Sequence, residues 1–358
     1  MHHRIRSIAL LLLKLAVSGG LVYFVLAGIN FDDVARQLGD ASVLLAGAAS
    51  LVMLASHLLG VMQWRVFLRA QRLEMSFSRC VVYYYTGQFF NNFLLSSVGG
   101  DIVRMFDVAY NEKVRKGRVL ASILVDRVFG LVCLIMIGLI ALPFFIAREP
   151  SNLVPVMLLY AVFAGVMLLF WLFVMSRYAR HLTMHLVQRL PVARLRRAGF
   201  HFLRTFYCYR RTPGAFLRAL GWGLTNQAVK MGVAFITLAA LTGSPGSSKH
   251  VSSCGFFQFI TLAALTGSPG AVEPLWVIVF VPILGIVKVL PISIMGIGPH
   301  ELAGRNLFGA VGVAASLTMS FLFLYQIVAI LSNLACGVFL PGRRFGPAKD
   351  VDRSGLSR

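Results

Sequence analysis

Acidic side chains are scarce: 13 Asp and Glu stand against 34 Lys and Arg in 358 residues, and the stretch from Arg177 to Arg218 holds ten arginines and no acid. Charge of either sign is sparse at 13% of residues, whereas 58% are hydrophobic and the mean hydropathy is +0.78. That balance excludes a soluble globular domain of this length. Nucleic-acid binding is the weaker account of the basic excess, because no soluble segment remains to carry it. The five cysteines, Cys80, Cys133, Cys208, Cys254 and Cys336, lack CxxC or histidine spacing, which argues against a disulfide framework and a metal site. A nucleotide-binding P-loop is missing too, and no cofactor is expected.

What is present is a series of apolar runs, read as an all-α polytopic membrane protein. Ile5 to about Ala27 is long enough to span and contains Lys14, so it reads as an uncleaved first helix rather than a signal peptide. Asp32, Asp33 and Asp40 make the next loop acidic and outside. Val43 to about Gln63 returns inward, and Arg65, Arg69, Arg72 and Arg79 against Glu74 make Trp64 to Cys80 a cytoplasmic loop. The KVRKGR cluster from Lys113 to Arg118 also asks to be cytoplasmic. Only about 32 residues separate the two clusters, too few for two full crossings of ~20 residues each. Residues 81–110 therefore read as a re-entrant hairpin broken at Ser96 to Gly100; the alternative is one ordinary crossing from Val81 to Gly100. Residues 177–218 form a basic cytoplasmic segment whose interleaved leucines suit the inner membrane surface. Residues 341–358 are a short cytoplasmic tail, so both termini are expected inside.

Two breaks carry the chemistry. In NNFLLSSVGGDIVR, Gly99 and Gly100 interrupt an apolar run, and Asp101 and Arg104 follow, one turn apart and able to pair on one helical face. In LPISIMGIGPHELAGR, Pro291, Gly296 and Gly298 interrupt a second run, with Glu301 one turn before Arg305. Residues 274–312 thus read as a second re-entrant segment. Charges inside a membrane are costly and mark function by default, which adds Asp126, Arg127 and Lys288 to the candidates for lipid binding or gating, with Lys230 beside them. Asp126 and Arg127 are adjacent and point in different directions on a helix. Asn91 and Asn92 can hydrogen-bond a broken backbone or a headgroup. Tyr83, Tyr84 and Tyr85 read as an interfacial belt, and His57 and His300 as lone imidazoles. The elements arrange as an inverted repeat, residues 1–147 and 148–340, with about six full crossings and two broken hairpins, eight or so hydrophobic segments in all. FITLAALTGSPG occurs twice, letter for letter, 24 residues apart within 235–270, which points to a recent tandem duplication or a sequence error.

NNFLLSSVGGDIVR, then ASILVDRVFGL, then LPISIMGIGPHELA with LFGAVGV resemble the lysylphosphatidylglycerol synthase transmembrane family, also called flippase-like or UPF0104 proteins. Leu95 stands where members often have proline and His300 where they often have arginine. The resemblance implies lipid movement between leaflets of a bacterial inner membrane. It also implies that the lysyltransferase activity of full synthases is absent, since only about 18 residues follow Leu340 and the synthases add a large soluble domain. Expected partners are anionic membrane lipids and enzymes that modify lipids or build the cell envelope. An intramembrane enzyme acting on a lipid headgroup, or a membrane anchor or assembly protein, are the alternatives.

Overall fold

The structure is a computed structural model, and it describes residues 31–93, 99–148, 154–189, 196, 213–242, 274–289 and 298–342. The first apolar run, the Ser96–Val98 part of the first break, Pro291, Gly296, the second copy of the duplicated stretch, most of the 190–212 segment and the carboxyl-terminal tail lie outside the described residues. Every regular element among the described residues is helical. In chain order these are α1 (Phe31–Gly39), α2 (Val43–Ala70), α3 (Phe77–Asn91), α4 (Gly99–Asn111), α5 (Lys116–Arg148), α6 (Val154–Met175), α7 (Arg177–Gln188), α8 (Pro213–Thr242), α9 (Pro274–Val289), α10 (Pro299–Ala310) and α11 (Ala315–Ala335), followed by a 3-10 turn at Cys336–Gly342.

Four of these helices, those at Val43–Ala70, Lys116–Ala147, Gly214–Thr242 and Ala315–Pro341, are long and apolar enough to cross a membrane, and Val156–Val166 and Leu275–Lys288 are shorter apolar helices. Exposed Leu44, Leu51, Leu58, Ile140, Phe144, Leu158 and Leu169 fit a hydrocarbon solvent rather than water. The helix starting at Val43 runs to Ala70 rather than ending near Gln63, so Trp64 is not in a loop as the charge pattern suggested. No breaker intervenes before Gln71, and the chain turns only at Arg72, with φ 58°.

α2 and α8 pack antiparallel. The Ser42 amide donates to the Ala240 carbonyl at one end, and a Cβ on Gly223 would meet Cys133 and Gln63 at the other. A larger apolar core joins α5, α6, α8, α9, α10 and α11 through Phe145, Tyr160, Met231, Phe280, Phe308 and Phe321. A second core gathers Trp64, Leu68, Tyr83, Tyr84, Tyr85 and Ile123 around α3 and α4. The three tyrosines are buried there, at 3% to 8% exposure, which corrects their reading as an interfacial belt. Once α4 folds back along α3, both sides of the tyrosine run are covered.

Candidate functional site: a buried charge cluster on a helical hairpin

Ser76 caps α3, its hydroxyl accepting from the Arg79 amide at 3.5 Å, and α3 runs for 15 residues. At ~1.5 Å per residue that is ~22 Å, short of a ~30 Å hydrocarbon core. The chain then folds back as α4 instead of running on as one crossing. The two arms meet at glycines: a Cβ on Gly100 would collide with the Gly87 carbonyl oxygen, so the backbones approach as no larger residue there allows. Asn91 Oδ1 accepts from the Gly100 amide at 3.0 Å, satisfying a donor that the helix start leaves open. At the base of the hairpin Arg79 reaches both carboxylate oxygens of Glu112, at 3.2 and 3.0 Å, and the Tyr83 hydroxyl donates to Glu112 at 2.9 Å. At the tip Asn92 Nδ2 donates to the Ile330 carbonyl at 3.1 Å, and Asn92 Oδ1 accepts from Asn333 Nδ2 at 3.2 Å. Base and tip are both tied.

The charges of α4 pair with α5, not with each other. Asp101 forms a hydrogen-bonded ion pair with Arg127. Arg104 Nη1 stands 4.0 Å from Asp126 Oδ2. The sequence suggests an Asp101 to Arg104 pair within α4. The crossed arrangement displaces it because neighbouring residues on α5 diverge by ~100° around the axis, so Asp126 and Arg127 meet positions one turn apart on α4. Asp126 thus faces Arg104. The Arg104 guanidinium also lies 3.5 Å from the centroid of the Trp64 ring and 4.4 Å from that of Tyr84. Trp64 is held in turn by its Nε1 donating to Ser122 Oγ at 3.1 Å. Arg104 is 4% exposed, and its Nε and Nη2 make no hydrogen bond, nor does Asp126 Oδ1. Arg127 is the accessible member, its side chain 29% exposed. Lys230 on α8 lies within electrostatic reach of Asp126 and Arg127. Three cations against two acids leave the cluster with one net positive charge.

The second break is built differently. Gly298 takes φ 99°, a conformation that favours glycine, and Pro299 opens α10. Glu301 bends back to accept from the Gly298 amide at 2.6 Å, and its other oxygen is 3.5 Å from His300 Nδ1. The helix start, rather than Arg305, takes up the Glu301 carboxylate, because an acid at the third helical position closes back on the open amide. His300 thus has one carboxylate neighbour, Glu301. Lys288 on α9 donates to Gln326 Oε1 at 2.5 Å. Gln326, Ile330 and Asn333 recur on one face of α11, so one helix touches both the Lys288 site and the tip of the first hairpin.

Residues 11–272 match the family described as Lysylphosphatidylglycerol synthase TM region. The chain belongs to this family. The match takes in the first hairpin, the crossed ion pairs and Lys230 of the TM-region family member, and it ends ahead of the second break. No curated protein matches the chain.

Sequence reasoning missed Trp64, Tyr84, Gln326 and Asn333. For the last two a signal existed, since a glutamine and an asparagine within an otherwise apolar α11 are costly in lipid and ask for partners. For Trp64 and Tyr84 there was none, because aromatic residues in an apolar chain look alike until a cation is placed on them.

Proposed function

We propose that this chain moves a phosphate-bearing lipid between the leaflets of a bacterial inner membrane, with the polar headgroup passing along the hairpin of α3 and α4 while the acyl tails stay in lipid. The observation that carries the reading is the cluster where the short α4 meets the long α5: four charged side chains cross-paired between the two helices, a net positive charge with Lys230, and two guanidinium nitrogens of Arg104 without a hydrogen-bond partner. Arg127, the exposed member, meets the phosphate first. Its departure from Asp101 opens the outer pair, and Arg104 follows as an anion replaces Asp126.

Among the described residues, the order long helix, two short arms, long helix occurs as α2 to α5 and again as α8 to α11. We read it as an inverted repeat in which both hairpins are re-entrant, a transporter layout with a site between the halves. The termini are cytoplasmic in this scheme, and the chain transports lipid without performing lysyl transfer. Enzymes that modify lipid headgroups are its natural suppliers. The test is reconstitution of the full chain in liposomes with a fluorescent phospholipid: exchange between leaflets faster than in empty liposomes supports the proposal, and exchange no faster across several lipid classes rejects it.

A further inference from the structure

His57 stands at the midpoint of α2, 6% exposed, and its Nε2 makes no hydrogen bond. A buried imidazole normally finds partners for both nitrogens. The groups facing it come from each neighbouring helix. From α3 come Tyr84 and Tyr85, ring centroids 6.5 and 5.9 Å away. From α11 the Asn333 side chain is within hydrogen-bonding reach, and from α8 the charge of Lys230 acts on the ring. The antiparallel register agrees: Ser42 meets Ala240 and Gln63 meets Gly223, which sets His57 within about a turn of Lys230 across the interface. From α5, the charge of Asp126 acts on Lys230. Asp126, Lys230, His57, Asn333 and Asn92 thus stand on facing helices between the crossed ion pairs and the hairpin tip, where Asn333 and Asn92 are hydrogen-bonded.

We propose that His57 is a proton-binding site through which a proton gradient drives the lipid movement proposed above, on which this inference rests. The Nε2 lone pair accepts a proton from water on one side of the membrane and returns it to water on the other; no other bond forms or breaks. A proton on His57 stands beside the Lys230 charge, and two like charges on facing helices are relieved when a negative charge enters the cluster. Proton and anionic headgroup thus favour each other's binding, and the coupling is reciprocal. The change passes to the hairpin through Tyr84 and Tyr85, which belong to α3 and face His57, and through Asn333, which holds Asn92 at the tip.

The test uses the full chain in liposomes with a labelled phosphatidylglycerol and an imposed difference of one pH unit. One proton carried per lipid enriches the label in the leaflet on the alkaline side, by up to about tenfold, with alkaline-side acidification reported by a trapped dye. His57→Gln abolishes both. Enrichment by H57Q equal to that of the parent overturns the proposal, as does a parent that exchanges lipid at equal pH yet shows no enrichment; that second outcome leaves lipid transport standing. A parent that exchanges no lipid under any condition overturns both readings. If H57Q does not insert, proton uptake by the parent in detergent on adding short-chain phosphatidylglycerol decides, with no uptake counting against the site.

Discussion

Arg104 holds its guanidinium 3.5 Å from the centroid of Trp64 while its charged partner Asp126 stays 4.0 Å off. Stacking and charge therefore share the task of keeping this cation in the bundle. Arg104→Leu strands Asp126 and is expected to cost about 3 to 5 kcal/mol, the range for breaking a buried pair. Arg104→Lys keeps the charge but loses the planar stack, and is expected to cost less, about 2 kcal/mol. Thermal unfolding in mild detergent ranks the two, and equal losses contradict the division of labour.

The crossed pairing is testable by a double-mutant cycle. Asp101→Asn and Arg127→Gln share one ion pair, so their combined effect on stability departs from additivity by about 0.5 to 1 kcal/mol. Asp101→Asn with Arg104→Gln, neighbours on one helix that do not pair, should depart by much less. Larger coupling in the second cycle would restore the pairing within α4.

Topology is testable by thiol labelling, though not at Cys80, which is fully buried. Ser78 is exposed at the base of the hairpin. Ser78→Cys should react with a membrane-impermeant reagent from the cytoplasmic side only; labelling from outside intact cells would invert the hairpin.

Much of this was legible in the sequence, and the gaps have physical causes. Counting residues between two basic clusters leads to two short arms, and α3 and α4 are two short helices packed on each other, with Gly99 and Gly100 in the first turn of the second. The pairing of Asp101 was not legible, because spacing shows what one helix can satisfy alone and says nothing of Asp126 and Arg127 on the next. Glu301 was similar: its distance to Arg305 suggested a pair, while the open amide of Gly298 lay closer. The end of α2 was misplaced since positive charge was taken for a loop, whereas arginines on a long helix project past the lipid with their backbone still helical.

The duplicated stretch yields a further prediction. Its first copy supplies the end of α8, where Phe235 and Leu238 are buried. Deleting residues 235–258 brings the second copy into register, so the same letters refill those positions. The shortened chain should insert and melt at least as well as the parent, and loss of expression would show that the 24 extra residues are integral.

The central claim, that the crossed ion pairs line a headgroup path, is tested most directly by leaflet exchange of a fluorescent anionic phospholipid in liposomes carrying the parent, Asp101→Asn or Arg127→Gln. Arg127 is partly exposed, so removing it should cost little stability, about 1 kcal/mol or less after solvent screening. The account predicts that both variants insert and stay folded while exchange falls about tenfold or more. Variants that exchange lipid as fast as the parent would contradict it.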